Sequence, residues 1–142
     1  MTSVKTIVAN TIAILKAAAS LAAVKNSWHL GQPPESRINR YPYGWVEWLG
    51  GVVATDTPVL EAVTDNLLIV IVDMKAAEDK AEDSVMDYAE KIKTVIYADR
   101  TLNDAVKKTF LRRRDKQKLL HEEYSIAAVG LTFEVRHIDD LS

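Results

Sequence analysis

Three histidines and an acidic helical stretch are the residues best suited to chemistry in this chain, and neither set has the spacing that a reaction needs. His29, His121 and His137 lie far apart in sequence. His121-Glu122-Glu123-Tyr124 lacks the second histidine with which a helical zinc hydrolase motif closes on its metal. His137 and Asp139 could both touch a cation, but two ligands impose little geometry, and the pair reads as part of a solvated tail. The chain has no cysteine, which removes a thiolate nucleophile, disulfides and zinc fingers together and leaves the redox compartment open. Asp79, Asp83 and Asp87 share one helical face, as do Glu78 and Glu82. A glycosidase pair or a carboxylate-bridged metal site would need partners from other elements and an enclosed cleft, so these acids read as a solvated face. Gly50-Gly51 lacks the longer glycine pattern, the lysine and the hydroxyl of a phosphate loop. The sequence therefore predicts no catalytic residue, no cofactor, no metal and no enzyme.

Charge is the stronger signal. Lys107, Lys108, Arg112, Arg113, Arg114, Lys116 and Lys118 are offset only by Asp115, a segment of net +6 that leaves −8 for the rest of a chain whose total is −2. If the segment is extended, Lys108, Arg112 and Arg114 share one parity while Lys107 and Arg113 share the other, giving a protruding ribbon positive on both sides. Such a ribbon suits phosphates or an acidic protein. No recognition helix, finger or stacking sheet accompanies it, so a sequence-specific DNA reader is disfavoured, while non-specific nucleic-acid contact, a charged protein interface and a plain solvated hairpin stay open. Trp28, Trp45 and Trp48, with Tyr41 and Tyr43, concentrate aromatics around a proline-rich loop. Trp45 and Trp48 are interface candidates because aromatics bury large area with few rotatable bonds, the alternative being that they close the core.

The elements that must position these residues are legible from periodicity. With 142 residues and 48% apolar content, the chain can bury a core without staples and is expected to form a single domain over 1–142. Its longest strongly apolar run, Leu67 to Val72, is far short of a bilayer span, so no membrane contact is expected, and no export signal is visible. Apolar positions from Val4 to Ala22 recur at three and four residues and predict a first helix capped by Ser3. Val24 to Leu30 predicts a short strand, and Gly31-Gln32-Pro33-Pro34 a loop through Arg40. Tyr43 to Leu49 predicts a strand with Trp48 on the face opposite Tyr43 and Trp45. Val52 to Ala54 could pair, while Thr55 to Asp65, with Pro58 and no stable period, reads as a loop. Asn66 to Met74 predicts a central strand, Ala77 to Tyr97 a second helix with a buried stripe of Ala81, Val85, Tyr88, Ala89, Ile92 and Val95 or Ile96, and Thr101 to Ala105 a turn. Val106 to Arg114 can be extended, and Lys116 to His121 connects or prolongs it. Leu131, Phe133 and Val135 alternate with polar residues as core positions of a final strand, with a bulge expected at Gly130.

This order predicts an α+β fold, a mostly antiparallel β-sheet with two helices packed on one face and the other face uncovered unless a further subunit covers it. With Tyr41-Pro42-Tyr43 entering a strand, Ala81 to Tyr97 ending in Ala98-Asp99-Arg100-Thr101-Leu102, and the closing Gly130-Leu131-Thr132-Phe133-Glu134-Val135-Arg136, the chain resembles the tail terminator and tail completion proteins of tailed bacteriophages. That resemblance spans most of the chain. It implies a virion structural protein without enzymatic activity, a homo-oligomer forming a ring, commonly hexameric, at the neck or upper end of the tail. It would be assembled in the host cytoplasm, with the tail tube protein and a head–tail connector or stopper as partners and double-stranded DNA passing through the lumen. The basic ribbon would then meet an acidic tube or connector surface, and the acidic remainder would suit a lumen that does not trap DNA. The short apolar loop around Val59 and Leu60 and the dense basic cluster depart from the family pattern. They keep two alternatives open: a connector or stopper bound to the portal complex, and a small non-virion nucleic-acid-binding protein using residues 107–118.

Overall fold

Ser3 opens the first helix by accepting the Thr6 backbone N–H on its hydroxyl at 3.1 Å, and α1 then runs Val4–Ala17 with Ile7, Val8, Thr11 and Leu15 buried. In this computed structural model, residues 3–38, 40–57, 60–120 and 125–140 are described. For 35, 54–57, 60, 61, 117–120, 139 and 140 the description covers the backbone alone. The expected continuation of α1 to Ala22 does not occur. Ala18 turns extended, and a 3-10 segment, Ala19–Val24, follows and buries Leu21 and Val24. The helical layer thus has three pieces where two were expected, and the strand predicted from Val24 is confined to β1, Trp28–Leu30.

The sheet has five strands in the order β1-β2-β3-β5-β4, where β2 is Tyr43–Thr57, β3 Leu60–Lys75, β4 Lys108–Leu120 and β5 Ser125–Asp140. Only β1 joins its neighbour in parallel; the other three pairings are antiparallel. The expected α+β class and mostly antiparallel sheet are observed. Thr55 to Asp65 is not a loop: Thr55 and Thr57 pair with Glu61 and Leu60, and residues 60–65 also pair with β5. A strand with ladder partners on both sides gains more backbone hydrogen bonds than its weak intrinsic period would suggest. Pro58 and Val59 lie outside the described residues.

Gly130 is not a bulge. It pairs with Val70 in an unbroken β3–β5 register, and the change of parity between Ile126 and Leu131 is ordinary alternation between the two faces. The register shifts lie elsewhere, in β2 between Trp48 and Gly50 and in β4 between Leu111 and Arg113.

Helix α2, Glu78–Ala98, buries Ala81, Val85, Ala89, Ile92 and Ile96, and its exposed first turn carries Glu78 and Asp79, where the helix dipole favours acids. It packs over β3 and β5 while α1 packs over β1 and β2. The main core lies between these helices and one sheet face, with Val46, Leu67, Ile69, Ile71, Val129, Leu131, Phe133 and Val135 among its members. Leu131, Phe133 and Val135 are buried, as expected. On the opposite face Trp45, Val70, Val72 and Ala128 form a second, smaller cluster with Tyr41, Tyr43, Leu68 and Ile126 around it. No described helix covers that side.

Candidate functional site

Because side chains alternate along a strand, β2, β3 and β5 each present a second set of residues to the uncovered face. There a trough of about 820 Å³ runs across the sheet. Its floor is Val70, Ala128 and Gly130, one wall is Trp45 with Glu47, and the other is Arg113 with Asp115 on β4. The missing side chain of Gly130 and the small one of Ala128 keep the floor low. Trp45 is only 8% exposed: it stacks on Tyr43 with ring centroids 6.2 Å apart and donates its indole N–H to Glu47 Oε1 at 3.2 Å. Trp45, one of the two tryptophans named from sequence as interface candidates, lies on the uncovered face, as a wall of the trough rather than as a projecting anchor.

Trp48 does not share that face. It pairs with Leu67 on the helix side, immediately before the register shift in β2, and is 52% exposed. Leu49, Val52 and Val53 on the β2–β3 hairpin are also exposed. At the hairpin base the Trp48 indole N–H donates to Asp65 Oδ1 at 2.8 Å, and His137 Nε2 lies 2.7 Å from Asp65 Oδ2. Asp65 and His137 are both about 3% exposed. His137 is therefore not in a solvated tail: its register opposite Val63 turns it to the helix side of β5. The side chain of Asp139 and all of His121 to Tyr124 lie outside the description.

The basic strand is partly neutralised by its own chain. The bulge at Arg112 breaks the parity expected from sequence. Arg114 and Lys116 turn to the helix layer and meet Glu90 and Glu82 of α2, the first at 2.8 Å, while Arg112 reaches Glu134 at 2.9 Å and Arg113 reaches Asp115. Four of the seven predicted cations thus have carboxylate partners. These are exposed pairs, each contributing on the order of 0–1 kcal/mol, and they set direction more than stability. Lys107 and Lys108 are exposed at the start of β4; of Lys118 only the backbone is described.

The strongest electrostatic feature is centred on Phe110. Arg100, Lys108, Arg112 and Arg136 stand 5.4, 5.0, 4.8 and 4.9 Å from its ring centroid, and Glu134 is the carboxylate shared by Arg112 and Arg136. The hydrogen bond from Arg112, reinforced by that from Arg136, holds the Glu134 carboxyl below the usual carboxylate range against the opposing effect of partial burial. Arg100 is oriented by donating to the Thr109 carbonyl at 3.1 Å and by stacking over Tyr97. Sequence reasoning missed Arg100, Phe110 and Arg136 as members of one patch. Arg136 joins Lys108 only through the β4–β5 register, and Arg100 only through the turn after α2.

Among the described residues no group of three or more His, Asp or Glu side chains could hold a metal ion, and no helix is long and apolar enough to cross a membrane. The described residues present three surfaces that could bind a partner: a sheet face with a trough, a cationic patch beside it, and exposed Leu49, Val52 and Val53 on the β2–β3 hairpin.

No family model matches the sequence, and no curated protein does. Among solved structures, a chain from the virion of a native gene transfer agent particle is similar over 92% of this chain and 93% of its own length, with a TM-score of 0.53 and 15% sequence identity. The fold is therefore one used by a component of a virion particle.

Proposed function

We propose that this protein is a virion structural protein of the tail-terminator or tail-completion kind, forming a ring that caps the tail tube and joins it to the head connector while DNA passes through its lumen. One observation supports this most. The fold it shares end to end with a chain of a gene transfer agent virion leaves a whole sheet face without helical cover, floored by Val70, Ala128 and Gly130 and walled by charged and aromatic side chains. A surface of that kind is completed by another protein, and a heterologous contact repeated around an axis closes a ring. The described residues form binding surfaces, and the function proposed for them is geometric: a collar of fixed diameter that ends one polymer and receives another.

The basic strand fits a protein-facing role better than a DNA-gripping one, because Arg112, Arg113, Arg114 and Lys116 are each held by a carboxylate of the same chain. A head–tail joining assay with purified components tests the proposal. Wild-type protein is expected to convert separated heads and tails into joined particles, and replacing Thr132, which lines the trough from β5, by Arg is expected to abolish joining while leaving the fold intact. Joining that proceeds equally well without the protein overturns the reading.

A further inference from the structure

The chain is electrically polar along α2, and the two poles match each other. At the C-terminal end of α2, Arg100, Lys108, Arg112 and Arg136 gather at Phe110 with Glu134 as the carboxylate among them, a net charge of +3. At the N-terminal end, Asp79 and Asp83 are exposed, four residues apart on the outer side of the helix, with Glu78 beside them and Lys80 as the nearby cation. Glu82, Asp87 and Glu90 of the same helix already have cationic partners, Lys116, Lys91 and Arg114; Asp79 and Asp83 have none among the described residues. A helix of 21 residues separates the poles by roughly 30 Å.

We infer that the Phe110 cation cluster of one copy receives the Asp79–Asp83 face of α2 from a second copy, so that neighbours associate head to tail. Three features carry this. The charges are complementary, and both patches are exposed. The half-buried Phe110 ring, with cations already arranged about it, supplies a pre-organised apolar platform on which an incoming carboxylate needs no rearrangement to be paired. The poles also lie on different layers: Asp79 and Asp83 face away from the sheet on the helix side, whereas Phe110 pairs opposite Glu134 on the uncovered side. A two-fold pair engaging both poles at one contact would have to present opposite layers to the same surface. Head-to-tail addition uses each pole once per subunit, which is the contact that closes into a ring.

This inference rests on the ring proposed above and is tested by charge exchange. Lys108→Glu with Arg136→Glu reverses one pole, taking the Phe110 cluster from net +3 to −1, and Asp79→Lys with Asp83→Lys reverses the other. All four are exposed positions, and thermal melts are expected to show folded proteins, melting somewhat below wild type because lysines at the start of α2 oppose the helix dipole and glutamates beside Glu134 repel it. Sedimentation and native mass measurement are expected to show that each variant alone associates about tenfold or more less tightly than wild type, and that wild-type association weakens with salt. Mixing the two variants is expected to restore assembly as alternating, even-numbered rings. Wild-type rings that persist unchanged in both variants overturn the inference and leave the ring itself standing. A wild-type protein that never associates overturns both. Retention of a random double-stranded oligonucleotide by wild type, lost in the Lys108→Glu, Arg136→Glu variant whose rings still form, also overturns the inference and assigns the cluster to phosphate contact instead.

Discussion

His137 Nε2 stands 2.7 Å from Asp65 Oδ2 and so ties β5 to β3 from inside the protein, at the base of a hairpin on which Leu49, Val52 and Val53 are exposed. The same carboxylate accepts the Trp48 indole N–H through its other oxygen. Replacing His137 by Ala leaves Asp65 buried with part of its hydrogen bonding lost, and breaking a buried pair on one side costs about 3–5 kcal/mol. Urea denaturation of His137→Ala, Asp65→Asn and the double variant is expected to show strong coupling, the double variant losing clearly less than the sum of the singles. Additive losses would show that the two residues act separately.

Gly44 is held to a hydrogen by its neighbours. A Cβ built there would come within 2.5 Å of both the Trp28 ring and the Val70 carbonyl oxygen, and the second of these is backbone in a central strand. Gly44→Ala is therefore expected to cost about 1–3 kcal/mol or more through overpacking. At Gly130 the nearest atom to such a Cβ is the end of the Leu68 side chain at 3.1 Å, so Gly130→Ala is expected to be milder. Thermal melts of the two variants check the order; equal melting temperatures would contradict it.

The two phenylalanines separate core from surface. Phe133 is buried between Leu67 and Leu111 in register, while Phe110 lies half exposed among cations. Phe133→Ala is expected to destabilise by about 3–5 kcal/mol. Phe110→Ala is expected to cost less, since its ring is already partly exposed and its removal leaves no enclosed cavity. Denaturant midpoints at constant slope give the comparison directly.

Glu134 makes stability depend on acid. Its carboxyl titrates below the ordinary range in the folded chain because Arg112 and Arg136 bind the charged form. A depressed folded-state value means that the unfolded chain binds the proton first as pH falls. The contribution is complete above the unfolded value, near pH 4.3–4.5, and is lost as pH drops through the folded one. Glu134→Gln is expected to flatten this part of the stability–pH profile between about pH 5 and pH 2. An unchanged profile would mean that the two arginines do not hold the charge.

Much of the scaffold was legible in the sequence, for physical reasons that can be named. The Ser3 cap, the α2 stripe at Ala81, Val85, Ala89 and Ile92, and the alternation of Leu131, Phe133 and Val135 are local patterns, and local patterns survive folding when packing agrees with them. What depended on long-range pairing was not legible. Residues 60–65 carry no strong period, yet they are strand because β2 and β5 flank them. The bulge at Arg112 reverses which cations meet α2, and no residue type in Leu111-Arg112-Arg113 announces it. His137 looked like tail because its partner Asp65 is 72 residues away. The binding patch was half visible: the cations of β4 stand out in the sequence, but Arg100 and Arg136 join them only through topology.

The central claim is that copies of this chain complete one another around an axis, and imaging the purified full-length protein by negative-stain electron microscopy, alone and mixed with tail tubes, tests it most directly. The account predicts closed rings of uniform diameter with an open centre, found at one end of the tubes. Isolated single copies at every concentration, with bare tube ends in the mixture, would contradict it.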